Sequence, residues 1–138
     1  MTKEGIEQLK RHEGLRLIAY KDTVDVWTVG YGHTAGVKEG DVIFPFQAEF
    51  FLADDIAIAT ADALKLLPEL ESYSARRQDA VVNLSFNLGY TSLSKFHTFL
   101  RCMKAHEYKG AASSLVLSKW YGQVGTRAKE IVQMIREG

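Results

Sequence analysis

The stretch EGLRLIAYKDTVDVWTVGYGH, residues 13–33, changes from a helical to an extended pattern. Just before it, Ile6, Leu9 and Glu13 are spaced three and four residues apart, as on one face of a helix. The residues that follow are mostly β-branched and aromatic on both sides of a polar KDTVD segment, which predicts a hairpin or small antiparallel sheet. The expected order is a first helix followed by two paired strands.

The rest of the chain is predicted to be helical. After a loop over residues 34–44, Pro45 suits the first position of a helix that runs to about Leu67, and Pro68 ends it. Further helical segments follow, separated by glycines or short polar turns. The predicted fold class is α+β and mostly helical, in a single domain. Its parts are an α+β lobe with a β-hairpin over residues 1–44, a connecting helix over 45–67 and a helical lobe over 68–138.

Composition limits the classes of protein that the chain can represent. Its 138 residues suit one ordinary domain, and no apolar run is long enough to span a bilayer. The first residues lack the apolar core of a secretory signal, so we expect the protein to stay where it is made. The lone Cys102 excludes an internal disulfide, and the four scattered histidines offer no metal-ligand cluster. We therefore expect a buried structural thiol, no metal and no cofactor.

Charge is distributed unevenly although the net charge is zero. Residues 1–75 carry seven lysines and arginines against thirteen aspartates and glutamates, whereas residues 76–138 carry ten against four. The second part is therefore cationic. Two interpretations remain open at this point, namely solvated helix faces and a surface for an anionic polymer.

Two carboxylates in the opening stretch are in contrasting environments. Glu13 is on the apolar face of the first helix, where loss of hydration disfavours the charged form, so it can hold a proton near neutral pH. Such a group suits a general acid that protonates a departing glycosidic oxygen. Asp22, among polar neighbours at the edge of the hairpin, is expected to stay ionised. Each also has a structural explanation, a salt-bridged glutamate and a turn-forming aspartate.

Strand alternation suggests a site beside the two carboxylates. It places two sets of residues on opposite faces of the returning strand, Trp27, Val29, Tyr31 and His33 on one face and Thr28, Gly30 and Gly32 on the other. The Thr28 hydroxyl could then hold an attacking water. The glycines leave space for a ring-shaped ligand, so Gly30 is a predicted substrate contact. The alternatives are that Thr28 is simply a strand residue and that the glycines mark a bulge.

These residues resemble a known signature. Glu13, eight residues, Asp22, five residues and Thr28 are similar to the catalytic motif of the phage-type lysozymes, the endolysin muramidases of glycoside hydrolase family 24. The resemblance continues through nearly the whole chain. Three further segments are similar to the helical lobe of that family: ARRQDAVVNLSFNLG (75–89), SLSKFHTFLRCMKAHEYKGAA (92–112) and SKWYGQVGTRAKEI (118–131).

The resemblance implies a lysozyme-like fold and hydrolysis of the β-1,4 bond between N-acetylmuramic acid and N-acetylglucosamine in peptidoglycan, in a cleft between the lobes. It makes Glu13 the acid and gives Asp22 and Thr28 the task of positioning or activating water. Inversion of configuration is the expected outcome. Two alternatives are a lytic transglycosylase and an inactive lysozyme-like module that only binds peptidoglycan.

The resemblance also implies supporting and binding residues. Arg127 would hold Glu13 in position, and His33 would form a structural pair with an aspartate of the long helix, which we expect to be Asp54. Several further positions match groups that touch sugar or peptide: Thr34, Phe86 and Ser114.

The implied partner is bacterial peptidoglycan, with no nucleic acid and no stable membrane insertion. We expect a monomer that accumulates in the cytoplasm of the bacterial host and reaches the periplasm and wall through a membrane lesion such as a phage holin makes. A DNA-binding protein is the rival from another class, because residues 75–104 superficially suit a helix-turn-helix with Lys95, Arg101 and Lys104 on its second helix. That interpretation leaves residues 13–33 unexplained.

Overall fold

A computed structural model describes all 138 residues and has the α+β, mostly helical fold that the sequence predicts. Seven α-helices, one short 3-10 turn and two strands follow one another along the chain. In order these are α1 (Lys3–Glu13), β1 (Arg16–Lys21), β2 (Trp27–Gly30), α2 (Pro45–Leu66), the 3-10 turn (Leu70–Ser72), α3 (Ala75–Ser94), α4 (His97–Lys104), α5 (Tyr108–Val116), α6 (Lys119–Val124) and α7 (Thr126–Glu137). No helix combines the length and the apolar character that crossing a membrane requires.

The chain divides into two compact units. The hairpin unit comprises Ile6–Ala57, and the helical unit comprises Met1–Gly5 and Ile58–Gly138. Both α1 and α2 contribute to each unit, because the divisions fall inside these helices. The predicted single domain over residues 1–138 and the predicted lobe boundaries stay predictions.

The start of α1 is fixed to α3 within the helical unit. Thr2 Oγ1 accepts a hydrogen bond from Gly5 N (3.0 Å) and thereby caps the helix. Thr2 N donates to Asp79 Oδ1 (2.9 Å), and the Thr2 hydroxyl donates to Asp79 Oδ2. Asp79 is buried, so its charge is compensated by these donors. A Cβ at Gly5 would lie 2.5 Å from the Asp79 carboxyl group, which explains a glycine in the first turn.

The hairpin unit contains a small antiparallel sheet. Tyr20 of β1 lies opposite Thr28 of β2. Residues 41–43 run along the other edge of β1, where Ile43 N donates to Leu17 O (2.9 Å). The buried core of this unit consists of Val29, Ile43 and Ala48, with Leu17, Tyr31, Val37 and Phe51 packed against it.

Strand β2 ends at Gly30, and the chain then reverses. Gly30 and Gly32 have positive φ values of 65° and 76°. Val29 and His33 exchange two backbone hydrogen bonds of 2.9 Å across this turn. The predicted alternation therefore holds only as far as Gly30, and its extension to Tyr31 and His33 is wrong. The left-handed glycine conformations turn the chain back on itself where a strand would continue.

Helix α2 begins at Pro45, as predicted. The sequence offers no serine or threonine to cap it, but Gln47 Oε1 accepts a hydrogen bond from Phe44 N (2.8 Å). This is the half of a capping box in which a side chain of the first turn reaches back to the chain. The helix ends at Leu66, two residues before Pro68.

Within the helical unit, α5 packs against α4 and α7, and α3 packs against α7. Ser74 Oγ caps α3 by accepting a hydrogen bond from Arg77 N (3.2 Å), and the helical conformation is interrupted at Gly89 (φ 80°, ψ 166°). Ser85 Oγ donates to Ala59 O of α2 (2.8 Å). The fully buried large side chains of this unit include Leu67, Val81, Leu84, Leu93, Phe99, Met103, Leu115, Ile131 and Ile135. Cys102 is buried and free, as predicted.

A buried histidine ties the turn after β2 to helix α2. His33 Nδ1 donates to Asp55 Oδ2 (2.7 Å), and the His33 ring stacks on Phe51 with 4.1 Å between ring centroids. The predicted partner Asp54 is wrong. Asp54 is exposed, whereas Asp55 lies three residues after the buried Leu52 on the inward face of the helix.

We expect the two adjacent aspartates to respond differently to neutralisation. Asp55→Asn removes the charge-assisted hydrogen bond to His33 and should lower the free energy of unfolding by about 1–3 kcal/mol. Asp54→Asn, on the exposed face of the same turn, should change it by less than about 0.5 kcal/mol. Urea unfolding of the two variants measures the difference. Equal effects would contradict the assignment of Asp55 as the partner.

Candidate active site

The predicted acid is the last residue of α1. Gly14, with φ 71°, follows Glu13 and ends the helix, and its N–H donates to Lys10 O (2.8 Å). Glu13 is half-buried. The end of the helix therefore sets the backbone position of Glu13 and the direction in which its side chain extends.

Gly32 provides the space that the Glu13 carboxyl group occupies. A Cβ built on Gly32 would overlap Glu13 Oε1 and would lie 3.0 Å from its carboxyl carbon. Only a glycine fits there, and the positive φ of 76° favours glycine independently. The sequence prediction assigned Gly32 to open space for a ligand, whereas in the structure the Glu13 carboxyl group occupies that space.

An ion pair between Lys10 and Glu49 joins α1 to α2. Lys10 Nζ donates to Glu49 Oε1 (2.8 Å) and lies 5.6 Å from the centroid of the Tyr31 ring. The hydrogen bond to Glu49 raises the pKa of the Lys10 ammonium, so this group stays charged at neutral pH. Tyr31 is the residue between the two turn glycines, so this contact supports the turn that carries Gly32.

Asp22 is built into the hairpin turn. Its Oδ1 accepts hydrogen bonds from Val24 N and Val26 N, each 2.9 Å. The turn also places Asp25 at a positive φ of 64°. The turn-forming role and an anionic role are therefore compatible, because both hydrogen bonds stabilise the carboxylate and leave Oδ2 outside them.

Thr28 is buried, with 3% of its surface exposed, and its hydroxyl donates to Val26 O (2.9 Å). Asp22 N donates to the same carbonyl (3.0 Å). Thus Val26 connects the two predicted residues: its N–H holds the Asp22 carboxylate and its C=O accepts from Thr28. The hydroxyl proton is used in this bond, so the Thr28 oxygen can accept a hydrogen bond from water.

The structure does not support an open face at Gly30. This glycine is buried, and a Cβ built on it would lie 3.5 Å from Ala48 and from Ile43 Cδ1. The predicted open space at Gly30 is therefore wrong, because Ala48 of α2 and Ile43 already cover the position. The substrate contact predicted at Gly30 stays a prediction. Thr34, just after the turn, is exposed in the same unit.

The remaining predicted residues belong to the helical unit. Arg127 is half-buried, and its Nε donates to Asn83 Oδ1 (3.0 Å). Phe86 is half-buried in α3. Ser114 donates to Ala111 O (2.6 Å) and lines a cavity of about 270 Å³. The roles predicted for Arg127, Phe86, Ser114 and Thr34 stay predictions.

The family assignment follows from comparison of the whole chain. The family model for phage lysozyme matches residues 10–135, which include every residue described above around Glu13. The chain belongs to the phage lysozyme family. It is accordingly an endolysin-type lysozyme, a hydrolase of the muramidase class.

Several curated relatives of this lysozyme are endolysins. The endolysin of Acyrthosiphon pisum secondary endosymbiont phage 1 is 39% identical over 121 residues, which cover 87% of this chain and 79% of that protein. The endolysin of Salmonella phage P22 is 31% identical over 128 residues, 89% of this chain and 86% of the relative. The endolysin of Bacillus phage B103 is 34% identical over 123 residues, 87% of this chain but 45% of the relative.

Substitution of two glycines separates backbone strain from displacement of Glu13. Gly32 and Gly36 have similar positive φ values, 76° and 73°, but a Cβ at Gly36 meets nothing within 4 Å. Each alanine variant should lose about 1 kcal/mol of stability. Gly32→Ala should also lower the muramidase rate of the folded enzyme about 100-fold, because the acid must move. Gly36→Ala should stay within about twofold of the wild type.

The rates are compared after correction for the folded fraction, measured by circular dichroism. An equal loss of activity in the two variants would show that Gly32 matters only through its backbone conformation.

Proposed function

We propose that this lysozyme hydrolyses the β-1,4 bond between N-acetylmuramic acid and N-acetylglucosamine in bacterial peptidoglycan. Glu13 is the general acid, and Asp22 and Thr28 position and activate the attacking water. The supporting observation is that one compact unit contains all three residues. In it the Glu13 carboxyl group lies against Gly32, and the backbone N–H and C=O of Val26 bind Asp22 and Thr28, respectively.

Glu13 delivers its proton to the departing glycosidic oxygen. The half-buried position of the side chain limits its hydration, and Gly32 fixes the direction from which the proton arrives. A fixed donor contributes to catalysis because orientation entropy is lost during folding instead of in each reaction cycle.

Asp22 and Thr28 act on the water that replaces the leaving sugar. The two backbone N–H groups on Asp22 Oδ1 orient the carboxylate, and Oδ2 accepts a proton from the water. Thr28 Oγ1 accepts the second hydrogen bond of that water, because its own proton is given to Val26. The low exposure of Thr28 keeps its hydroxyl away from bulk solvent.

This arrangement supports inversion of configuration. The water attacks the anomeric carbon from the face opposite the glycosidic oxygen, Glu13 protonates that oxygen, and Asp22 takes the proton released by the water. No covalent glycosyl intermediate forms. The sugar released at the new reducing end is therefore the α-anomer.

The biological setting is that of a phage endolysin. We propose that the monomeric enzyme accumulates in the cytoplasm of the bacterial host, without nucleic acid as a partner and without stable insertion in a membrane. Access to the wall then depends on a membrane lesion such as a holin makes.

Replacement of the acid should separate binding from catalysis. Glu13→Gln keeps the shape of the side chain but cannot donate the proton, so reducing-end release from purified peptidoglycan should fall by at least about 1,000-fold. Cosedimentation with the same peptidoglycan should be retained. The control Glu39→Gln makes the same chemical change on an exposed loop and should keep full activity. Undiminished release by Glu13→Gln would refute the assignment.

The stereochemistry gives an independent check of the roles of Asp22 and Thr28. Proton NMR of a soluble peptidoglycan oligosaccharide during the first minutes of cleavage should show the α-anomer before mutarotation. The β-anomer as first product would instead indicate a covalent route. An anhydro sugar would indicate a transglycosylase.

A further inference from the structure

A cationic cavity lies on the surface of the helical unit, apart from the residues assigned to the reaction. Its volume is about 380 Å³, and it is lined by Arg77 of α3, residues 106–110 at the start of α5, and Arg136 of α7. This volume is within the range of small-molecule sites in proteins. Three separate helices therefore contribute to one concave surface.

Positive charge is in excess in this cavity. Arg77, Lys109 and Arg136 face one acidic residue, Glu107. No ion pair within 4.0 Å joins any of these three cations to a carboxylate. Gly138 packs against the Arg77 guanidinium, so Lys109 and Arg136 are the cations most open to a bound anion. Like charges around a shared volume repel one another, and an anion bound between them would relieve that repulsion.

Arg77 is held in one orientation. Its Nε donates to Ile135 O (2.8 Å) and its Nη2 to Arg136 O (3.1 Å), at the end of α7. The guanidinium lies 3.6 Å from the centroid of the Tyr108 ring. These contacts use two of the five N–H groups of the guanidinium. The rest of this cation is therefore pre-oriented, so binding an anion costs little side-chain entropy.

The aromatic side of the cavity is also fixed. His106 Nδ1 and the Tyr108 hydroxyl oxygen are hydrogen-bonded at 2.7 Å. Tyr73 packs edge-on against both rings, with centroid distances of 5.6 and 6.1 Å, and its hydroxyl donates to Met103 O (3.0 Å). The cavity thus combines two exposed cations, Lys109 and Arg136, with a wall of aromatic rings in mutual contact.

We propose that this cavity binds an oxyanion of the bacterial envelope, a carboxylate or a phosphate group, and so adds a second point of attachment to the wall. Planar guanidinium groups and an ammonium suit both kinds of anion. Stem-peptide carboxylates of peptidoglycan and phosphate groups of other envelope polymers are the two sources of this chemistry. The proposal rests on the peptidoglycan substrate proposed above.

The test compares two double variants that lose the same charge. Lys109→Gln with Arg136→Gln removes the two exposed cations of the cavity. Arg101→Gln with Lys119→Gln removes two exposed cations of the same unit that do not line it. Both pairs of side chains are exposed, so both variants should fold.

Inorganic phosphate is the first probe. At constant ionic strength, replacing chloride by phosphate should raise the Tm of the wild type and of the Arg101/Lys119 variant by about 3 °C. The Lys109/Arg136 variant should show less than about a third of that rise. An equal phosphate response in all three proteins would overturn the proposal.

Wall fragments identify the source of the anion. With Glu13→Gln in every protein to prevent cleavage, the Lys109/Arg136 change should weaken cosedimentation about fivefold relative to the Arg101/Lys119 control. A loss on peptidoglycan freed of phosphate polymers assigns the carboxylate, and a loss only on phosphate-bearing envelope assigns the phosphate. Equal binding of the two variants to both materials would exclude a role in attachment to the wall.

The two proposals fail in different ways. The Lys109/Arg136 change, in an otherwise wild-type enzyme, should leave cleavage of a short soluble oligosaccharide unchanged, because these residues are outside the reaction site. If the wild type releases no reducing ends but responds to phosphate through Lys109 and Arg136, the proposed function fails and the anion site stands.

Discussion

The proposed reaction site depends on one steric constraint, the absence of a side chain at Gly32. The carboxyl group of Glu13 occupies the volume that any other residue would fill at this position. The turn that carries Gly32 is held from two sides, by the reciprocal backbone bonds between Val29 and His33 and by the His33–Asp55 pair on α2. The position of the Glu13 carboxyl group therefore depends on the packing of the hairpin unit around this turn.

The structure shows where part of the excess positive charge of residues 76–138 is located. Sequence alone leaves two interpretations of this excess charge open, solvated helix faces and a surface for an anionic polymer. The folding of α3, α5 and α7 gathers Arg77, Lys109 and Arg136 around one cavity, and Tyr108 orients the first of them. The proposed attachment to a polymer and the proposed cleavage of that polymer are assigned to different residues, so substitutions can alter one without the other.

Features set by local chemistry are predictable from the sequence, as the caps at Thr2 and Ser74 and the helix start at Pro45 illustrate. The choice between Asp54 and Asp55 is not, because one residue of helix phase decides which side chain faces inward. The glycine turn after Thr28 also escapes prediction, since alternation assumes that the strand continues. Helical spacing and strand alternation already make Glu13 and Thr28 candidates, but only the resemblance to the family motif combines them with Asp22 in one predicted reaction.

The Asp22 side chain has a structural role and a proposed catalytic role. One carboxylate oxygen organises the hairpin turn through Val24 and Val26, and the proposed chemistry uses the other. A substitution of Asp22 that alters the proposed chemistry would therefore also alter the hydrogen bonds that hold the hairpin turn. Selection for a stable hairpin turn and selection for activity would both favour aspartate at this position. A related protein without the enzymatic activity could therefore still retain the aspartate for the turn.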